Sequence, residues 1–282
     1  MSSRRHRIVH RTTMRYDGEV TAAHNELRMI PVREPGQTTL ETRVRVRPLT
    51  WSNVYEDHWG TQVMSMESQT PHEVLEIEAT STVERTELPV EVDAAGWDVV
   101  RDERTRDRLS EFLAQTPRTD PPEEVAAMAQ ELADEPTPRA AAQALVARVH
   151  EVLSYERGIT GWQATAAEVW ERRGGVCQDF AHLTLGALRS IGIPARYVSG
   201  YLTADDAPLE RGASVLARNH AWIELWDGGW HPLDPTNVGP VGLDHVVIGR
   251  GRDYDDVSPF RGMFVGPSVA DLDLEITFTR IG

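Results

Sequence analysis

The spacing of apolar residues changes near residue 90, and this change constrains the fold more than any other feature of the chain. Between His6 and Glu87, short segments rich in Val, Thr and Ile alternate apolar with polar residues, as in residues 43–47 and 74–79. Such alternation predicts half-buried β-strands, and the prolines between the segments indicate turns. Residues 101–153 instead have helical spacing. We therefore predict an α+β fold that begins with antiparallel strands.

The same change predicts how the chain divides. We expect an N-terminal antiparallel β domain, a small sandwich or barrel, over residues 1–95, and a second domain over residues 96–282 in which helices pack on an antiparallel sheet. Thr137-Pro138 is typical of a helix cap followed by a first-turn proline. Three helices are predicted early in the second domain, at residues 104–115, 121–134 and 138–153.

Composition excludes several classes of partner. The 282 residues carry a formal charge of −15, which disfavours nucleic acids and anionic membranes as partners. No apolar run approaches the roughly 20 residues of a membrane span, and the first residues lack the apolar stretch of a signal peptide. We therefore expect a cytoplasmic protein. The chain contains no lysine, so it cannot cross-link itself through a lysine amine.

Cys177 is the only cysteine of the chain, and it follows the glycine pair Gly174-Gly175 where a helical pattern begins. At a helix N-terminus, free backbone N–H groups and the helix dipole favour thiolate over thiol, which makes a nucleophile. A single cysteine forms no internal disulfide. The alternative is a buried core cysteine. We expect the nucleophile because suitable partners follow in the chain.

Those partners lie on a predicted β-hairpin. In residues 219–226, Ala221 and its alternate neighbours form an apolar face, whereas His220 points to the other face. If the turn at residues 227–229 is a three-residue loop, Trp226 pairs with Trp230. His220 and Asp234 are then diagonal neighbours on one face, with backbones roughly 7 to 8 Å apart. The sequence therefore predicts a nucleophile, base and orienting carboxylate in the order Cys177, His220, Asp234.

These residues give the chain a resemblance to bacterial transglutaminase-like cysteine enzymes. The motifs that carry it are Gly175-Val176-Cys177-Gln178-Asp179, Asn219-His220-Ala221-Trp222 and residues 230–236. The first ninety residues, through segments 25–31 and 57–60, are similar to the β-rich region that precedes the core in this group, and residues 251–262 also fit.

The resemblance implies a papain-like core and acyl transfer through a thioester at Cys177. The superfamily includes amine-transferring transglutaminases, peptidases and other amide-cleaving enzymes. Gln178 stands where animal transglutaminases carry tryptophan, and the chain has no calcium-loop pattern. These departures argue against calcium-activated protein cross-linking.

The remaining site residues are less constrained by the sequence. The Cys177 backbone N–H can donate to a developing oxyanion, and Tyr155 and Gln163 are the candidates for a second donor. The alternative is that both are packing or turn residues. Trp222, Asp253, Tyr254 and Arg261 are candidates for lining a substrate cleft, where the arginine would bind a carboxylate. The alternatives are tryptophan packing against the Cys177 helix and a solvated acidic turn.

No metal-binding spacing of the C-x-x-C or H-E-x-x-H kind is present, so we predict neither a metal nor a cofactor. The expected substrate is a peptide, a protein or an amide-containing small molecule. We expect the acyl group to pass to water, as in a protease or amidase, because nothing in the sequence marks an amine pocket. Amine transfer is the first alternative, and a non-catalytic binding module is the second.

Overall fold

The computed structural model describes residues 2–87, 94–203 and 210–282. Its elements follow the predicted order of strands, then helices, then strands. The strands are β1 (Ser3–Val20), β2 (Ala22–Leu27), β3 (Gln37–Arg47), β4 (Trp51–Glu56), β5 (Gln62–Ser68), β6 (His72–Thr86), β7 (Ser154–Tyr155), β8 (Gly174–Gly175), β9 (Ala195–Thr203), β10 (Ser214–Trp226), β11 (Trp230–Leu233), β12 (Val246–Gly251), β13 (Phe260–Val265) and β14 (Val269–Arg280). The helices are α1 (Trp97–Arg101), α2 (Glu103–Arg108), α3 (Glu123–Glu131), α4 (Pro138–Val152), α5 (Ala166–Arg172), α6 (Cys177–Ser190) and α7 (Tyr254–Val257).

The N-terminal strands form two sheets that share one core. Strands β3, β6 and β1 belong to the large sheet, whereas β4, β5 and β2 belong to a smaller one that ends at β13. Buried Met14, Leu27, Met66 and Ile77 come from both sheets and pack in one cluster. The predicted α+β class with antiparallel sheets is confirmed.

Alternation in β1 buries two histidines as well as apolar residues. His6 and His10 lie on its inner face, where both are essentially inaccessible to solvent. Burial lowers the pKa of each to about 4, so both imidazoles are neutral. His10 Nδ1 contacts the Tyr201 hydroxyl at 2.8 Å.

The large sheet runs from the N-terminal strands into the second half of the chain. Its order is β12-β9-β10-β14-β1-β6-β3, with β11 also paired to β10. The late strand β14 pairs with β1 on one side and with residues 214–217 of β10 on the other. The division near residue 95 stays a prediction, and the sheet itself crosses that position.

Helix α6 positions the cysteine against this sheet. Its buried residues, such as Phe180 and Leu185, pack with Ala221, Ile223 and Leu225 of β10. The helix ends at Ser190 as predicted, because Gly192 takes a left-handed φ of 81° and Pro194 follows. None of the helices among the described residues is long and apolar enough to cross a membrane.

Candidate active site

Cys177 is the first residue of α6 and is partly exposed. Strand β8 keeps the chain extended up to Val176, whose N–H donates to Asp179 Oδ2 at 2.8 Å. A side chain at Gly175 would collide with this carboxylate, which explains the glycine. The glycine pair therefore lets the chain enter the helix at the cysteine, so the thiol lies at the helix N-terminus.

The two residues that follow Cys177 form hydrogen bonds with a neighbouring loop, residues 156–165. Gln178 Nε2 donates to the Trp162 carbonyl at 2.9 Å. Thr160 Oγ1 donates to Asp179 Oδ2 at 2.6 Å, and burial raises the pKa of Asp179. Gln178 and Asp179 thus support the surroundings of the thiol.

The hairpin has the predicted register. Trp226 pairs with Trp230, and Ile223 pairs with Leu233 at the end of β11. Asp234 follows directly, and its Oδ2 lies 2.7 Å from His220 Nε2. The geometric prediction that these two side chains reach each other is confirmed.

His220 lies where one edge of its strand is open. Strand β14 pairs with β10 only as far as Ala217, and β11 pairs only from Ile223 onward. The intervening residues pair with β9 alone among the described strands. The helix N-terminus that carries Cys177 lies close enough to His220 for the two side chains to interact electrostatically.

The charge on His220 is set by its neighbours. Burial disfavours the imidazolium, but hydrogen bonds and Coulomb attraction from Asp234 and Cys177 outweigh it and raise the pKa of His220 to about 9. Because Nε2 is occupied by Asp234, Nδ1 is the nitrogen available to exchange a proton with the thiol. This arrangement lets His220 exchange a proton with the thiol during a reaction.

Asp234 is held by more groups than the sequence suggests. Its Oδ1 accepts backbone N–H groups of Thr236 at 2.9 Å and Asn237 at 3.2 Å, and Asn237 Nδ2 donates to Oδ2 at 2.7 Å. Burial opposes ionisation, but hydrogen bonds from His220, His245 and Asn237 hold the pKa of Asp234 well below its ordinary value. The carboxylate is therefore ionised and fixed in orientation.

His245 is a site residue that the sequence analysis missed. Its Nδ1 accepts the Gly242 N–H at 3.1 Å, so Nε2 carries the proton and lies 3.4 Å from Asp234 Oδ2. Burial lowers the pKa of His245, which keeps it neutral. It comes from the loop before β12, and no local sequence signal connects that loop to the hairpin.

His220, Asp234 and His245 also form a possible ligand set. Their ligand atoms all lie within 4.8 Å of one another, and two imidazoles with a carboxylate suit a divalent cation such as zinc. A bound cation would have to replace the 2.7 Å hydrogen bond between His220 and Asp234. The expectation of no metal stays a prediction.

Trp222 does not line a cleft. Its side chain is fully buried and packs with Val198 and Val247 on the sheet face away from α6, which also excludes packing against the Cys177 helix. Its ring stacks on His220 with centroids 5.9 Å apart. Gly200 pairs with His220, and a side chain there would collide with the indole. The Trp222 ring thus packs against one side of the His220 imidazole.

The two oxyanion candidates, Tyr155 and Gln163, are exposed residues in segments that neighbour the cysteine. Tyr155 is in β7 and pairs with Gly175, two residues before Cys177. Gln163 lies in the turn in which the Ala164 N–H donates to the Gly161 carbonyl at 3.0 Å. Their role as oxyanion donors stays a prediction.

Two of the predicted cleft residues come together in a groove. Tyr254 and Arg261 line a space of about 770 Å³, together with Asn219, the neighbour of His220. Asp253 does not line it, because its buried side chain caps α7 by accepting the Asp255 N–H at 2.8 Å. His182 anchors this wall, since its Nε2 accepts the Tyr254 N–H at 3.2 Å.

Comparisons with known proteins identify the family and a similar fold. Residues 126–235 match the transglutaminase-like superfamily, and residues 6–84 match the bacterial transglutaminase-like N-terminal region. An uncharacterized protein of Mycobacterium leprae is 39% identical over 98% of this chain and 99% of its own length. A Pseudomonas aeruginosa protein-glutamine gamma-glutamyltransferase is 33% identical, over 44% of this chain and 20% of its own length.

A solved structure supports the fold. It is a provisionally assigned cysteine protease from Cytophaga hutchinsonii that covers 100% of this chain and 92% of its own, with a TM-score of 0.75 and 20% identity. At that identity the likeness concerns the fold alone, and it agrees with the papain-like core that the resemblance implied. The chain therefore belongs to the transglutaminase-like superfamily and carries its bacterial N-terminal region.

Proposed function

We propose that this protein is a cysteine-dependent enzyme that attacks an amide or peptide carbonyl through Cys177 and passes the acyl group to water. The observation that carries the proposal is that Cys177, at the start of α6, lies beside His220, which is hydrogen-bonded to Asp234 at 2.7 Å. A nucleophile, a proton-transfer group and an orienting carboxylate in contact are the requirements of nucleophilic acyl transfer.

The steps follow from the positions of these groups. The Cys177 thiolate attacks the carbonyl carbon, and its backbone N–H donates to the oxyanion that forms. His220 gives its Nδ1 proton to the departing nitrogen as the C–N bond breaks, leaving a thioester. Nδ1 then accepts a proton from water as the water attacks the thioester. The acid departs, and the thiolate–imidazolium pair is restored.

Water is the proposed acceptor because it is present at about 55 M, and an amine competes only where a site binds it specifically. The partly exposed thiol admits water. Amine transfer is the second candidate, and the similarity to the Pseudomonas aeruginosa glutamyltransferase favours it. The cytoplasm remains the proposed compartment.

Mass spectrometry of a defined peptide mixture separates these outcomes. Peptides with internal glutamine are incubated in ¹⁸O-water with millimolar deuterated methylamine, using the wild type and the Cys177→Ala variant. We expect wild-type products that carry ¹⁸O in a new carboxyl group, and none with the variant. Products that carry mainly methylamine would favour transfer over hydrolysis. A chain that turns over no peptide although its thiol is alkylated readily would contradict the proposal.

A further inference from the structure

The groove beside the active site is built from both halves of the chain. Met14 of β1 comes from the N-terminal half. Leu272 and Leu274 of β14, together with Trp162 and Tyr254, come from the half that carries the cysteine. The N-terminal region and the last strand therefore help to form a space next to the catalytic residues.

Two connections place this groove at the reacting groups. Asn219 lines it and directly precedes His220, so the two Cα atoms are about 3.8 Å apart. Trp162 also lines it, and its carbonyl accepts the hydrogen bond from Gln178, the neighbour of Cys177. A chain bound in the groove would therefore pass the sequence neighbour of His220 and the loop that is hydrogen-bonded to the neighbour of Cys177.

The groove exposes apolar side chains. Leu272 and Leu274 are 58% and 48% exposed although they lie in a paired strand of the large sheet. Exposed large apolar residues that line a concave surface are typical of a binding site. They suit the aliphatic side chains of an extended peptide.

Arg261 adds a positive charge to this surface. It is exposed, and within the described residues no carboxylate oxygen lies within ion-pair distance of it. Arg261 is paired across the strands with Glu26 and helps to lower the pKa of Glu26 and Asp255, but each of these carboxylates is bonded to another arginine: Glu26 to Arg28 at 3.3 Å, and Asp255 to Arg118 at 2.7 Å. The donors of Arg261 therefore remain available to a carboxylate ligand.

The strand that carries Arg261 offers backbone groups as well. Strand β13 pairs with β2 and lies at the edge of the smaller sheet. An extended peptide can add to such an edge through main-chain hydrogen bonds. The groove is thus lined by an edge strand, by the exposed Leu272 and Leu274, and by Arg261.

We propose that the groove binds the substrate as an extended peptide, with aliphatic side chains on Leu272 and Leu274 and an acidic side chain on Arg261. This inference rests on the proposed function for the attacking thiol, and it names the class of substrate: acidic, apolar polypeptide segments.

Irreversible labelling of Cys177 tests the groove without requiring turnover. The probes are acetylated tetrapeptide chloromethyl ketones built from leucine, with either glutamate or glutamine at one of the three positions before the reactive residue. Labelling rates are measured by intact-protein mass spectrometry. We expect the glutamate probe to label about tenfold faster than its glutamine partner at one position. Arg261→Gln should remove this preference, and Leu272→Ser should slow both probes.

Two controls make the result specific. Arg148→Gln removes an exposed arginine that pairs with Glu131 on another surface, and it should leave the preference intact. Iodoacetamide, which is too small to use the groove, should alkylate all the variants at the wild-type rate. Equal rates for both probes at every position, or a preference that survives Arg261→Gln, would overturn the groove proposal. Selective labelling without hydrolysis of the matching peptides would instead count against the proposed hydrolysis and leave the groove assignment standing.

Discussion

The Asp234→Asn variant tests the proposed catalytic pair most directly. Oδ1 of Asp234 accepts two backbone N–H groups, so the asparagine must keep its oxygen at that position. Its NH₂ group then replaces Oδ2 and faces His220 Nε2 as a donor. Nε2 becomes an acceptor, and the imidazole proton moves to Nδ1. Nδ1 can then no longer accept the proton of Cys177.

The magnitude follows from the charge that is lost. Without Asp234, the burial penalty on His220 is opposed only by Cys177. We expect the pKa of His220 to fall from about 9 toward its ordinary 6.5, a change of about 3 kcal/mol in the ion pair. Alkylation of Cys177 should then slow by the factor that corresponds to this change in the pKa of His220, about 300-fold.

Iodoacetamide alkylation provides the assay, because Cys177 is the only cysteine. At pH 6 the Asp234→Asn variant should react about 300-fold more slowly than the wild type, and the two rates should converge at high pH. Asp227→Asn is the matched control: Asp227 is a buried carboxylate that pairs with Arg139 at 2.9 Å, away from the thiol. It should lower stability without altering the alkylation profile. A wild-type profile for Asp234→Asn would refute the assignment of Asp234 as the orienting group.

Two further predictions concern stability. Below pH 6.5 histidines of the unfolded chain bind protons, whereas the buried histidines of the folded protein stay neutral. The free energy of unfolding should therefore be highest above pH 6.5 and decrease toward pH 4, by on the order of 2 kcal/mol per histidine at pH 5. The histidines concerned are His6, His10 and His182, whose pKa burial lowers to about 4, about 4 and about 3. His220 acts in the opposite sense: it stabilises the fold below pH 6.5 and loses that effect as the pH rises through about 9, so it offsets only part of the loss. Equal urea midpoints at pH 7.5 and pH 5 would contradict this account. Gly200→Ala should cost about 1–3 kcal/mol, because its methyl group meets the Val246 carbonyl oxygen and the Trp222 indole, and it should change the fluorescence of Trp222. Gly161→Ala, where the added carbon meets nothing within 4 Å, should leave the urea midpoint unchanged.

The parts of the site that the sequence predicts are those governed by short-range rules. A turn length fixes the register of the hairpin, so the approach of His220 to Asp234 follows from counting residues. Glycines and a helical pattern likewise determine where α6 begins and ends. Both kinds of rule act within about 20 residues of chain.

The parts that the sequence does not predict depend on long-range packing. His245 meets Asp234 only because β12 is placed beside β9 in the sheet. The burial of Trp222 was missed because alternation indicates two faces of a strand but not whether the second face is covered. In β10 both faces are covered, one by α6 and the other by Val198 and Val247.

The position of β14 has a consequence for how the protein is made. This strand follows every other described element in the chain, yet it lies between β1 and β10 in the large sheet. Until it has been synthesised, β1 and β10 each present an uncovered edge toward the place that it will fill, and Leu272 and Leu274 are absent from the groove. The nascent chain can thus carry its thiol long before the surface beside that thiol is complete.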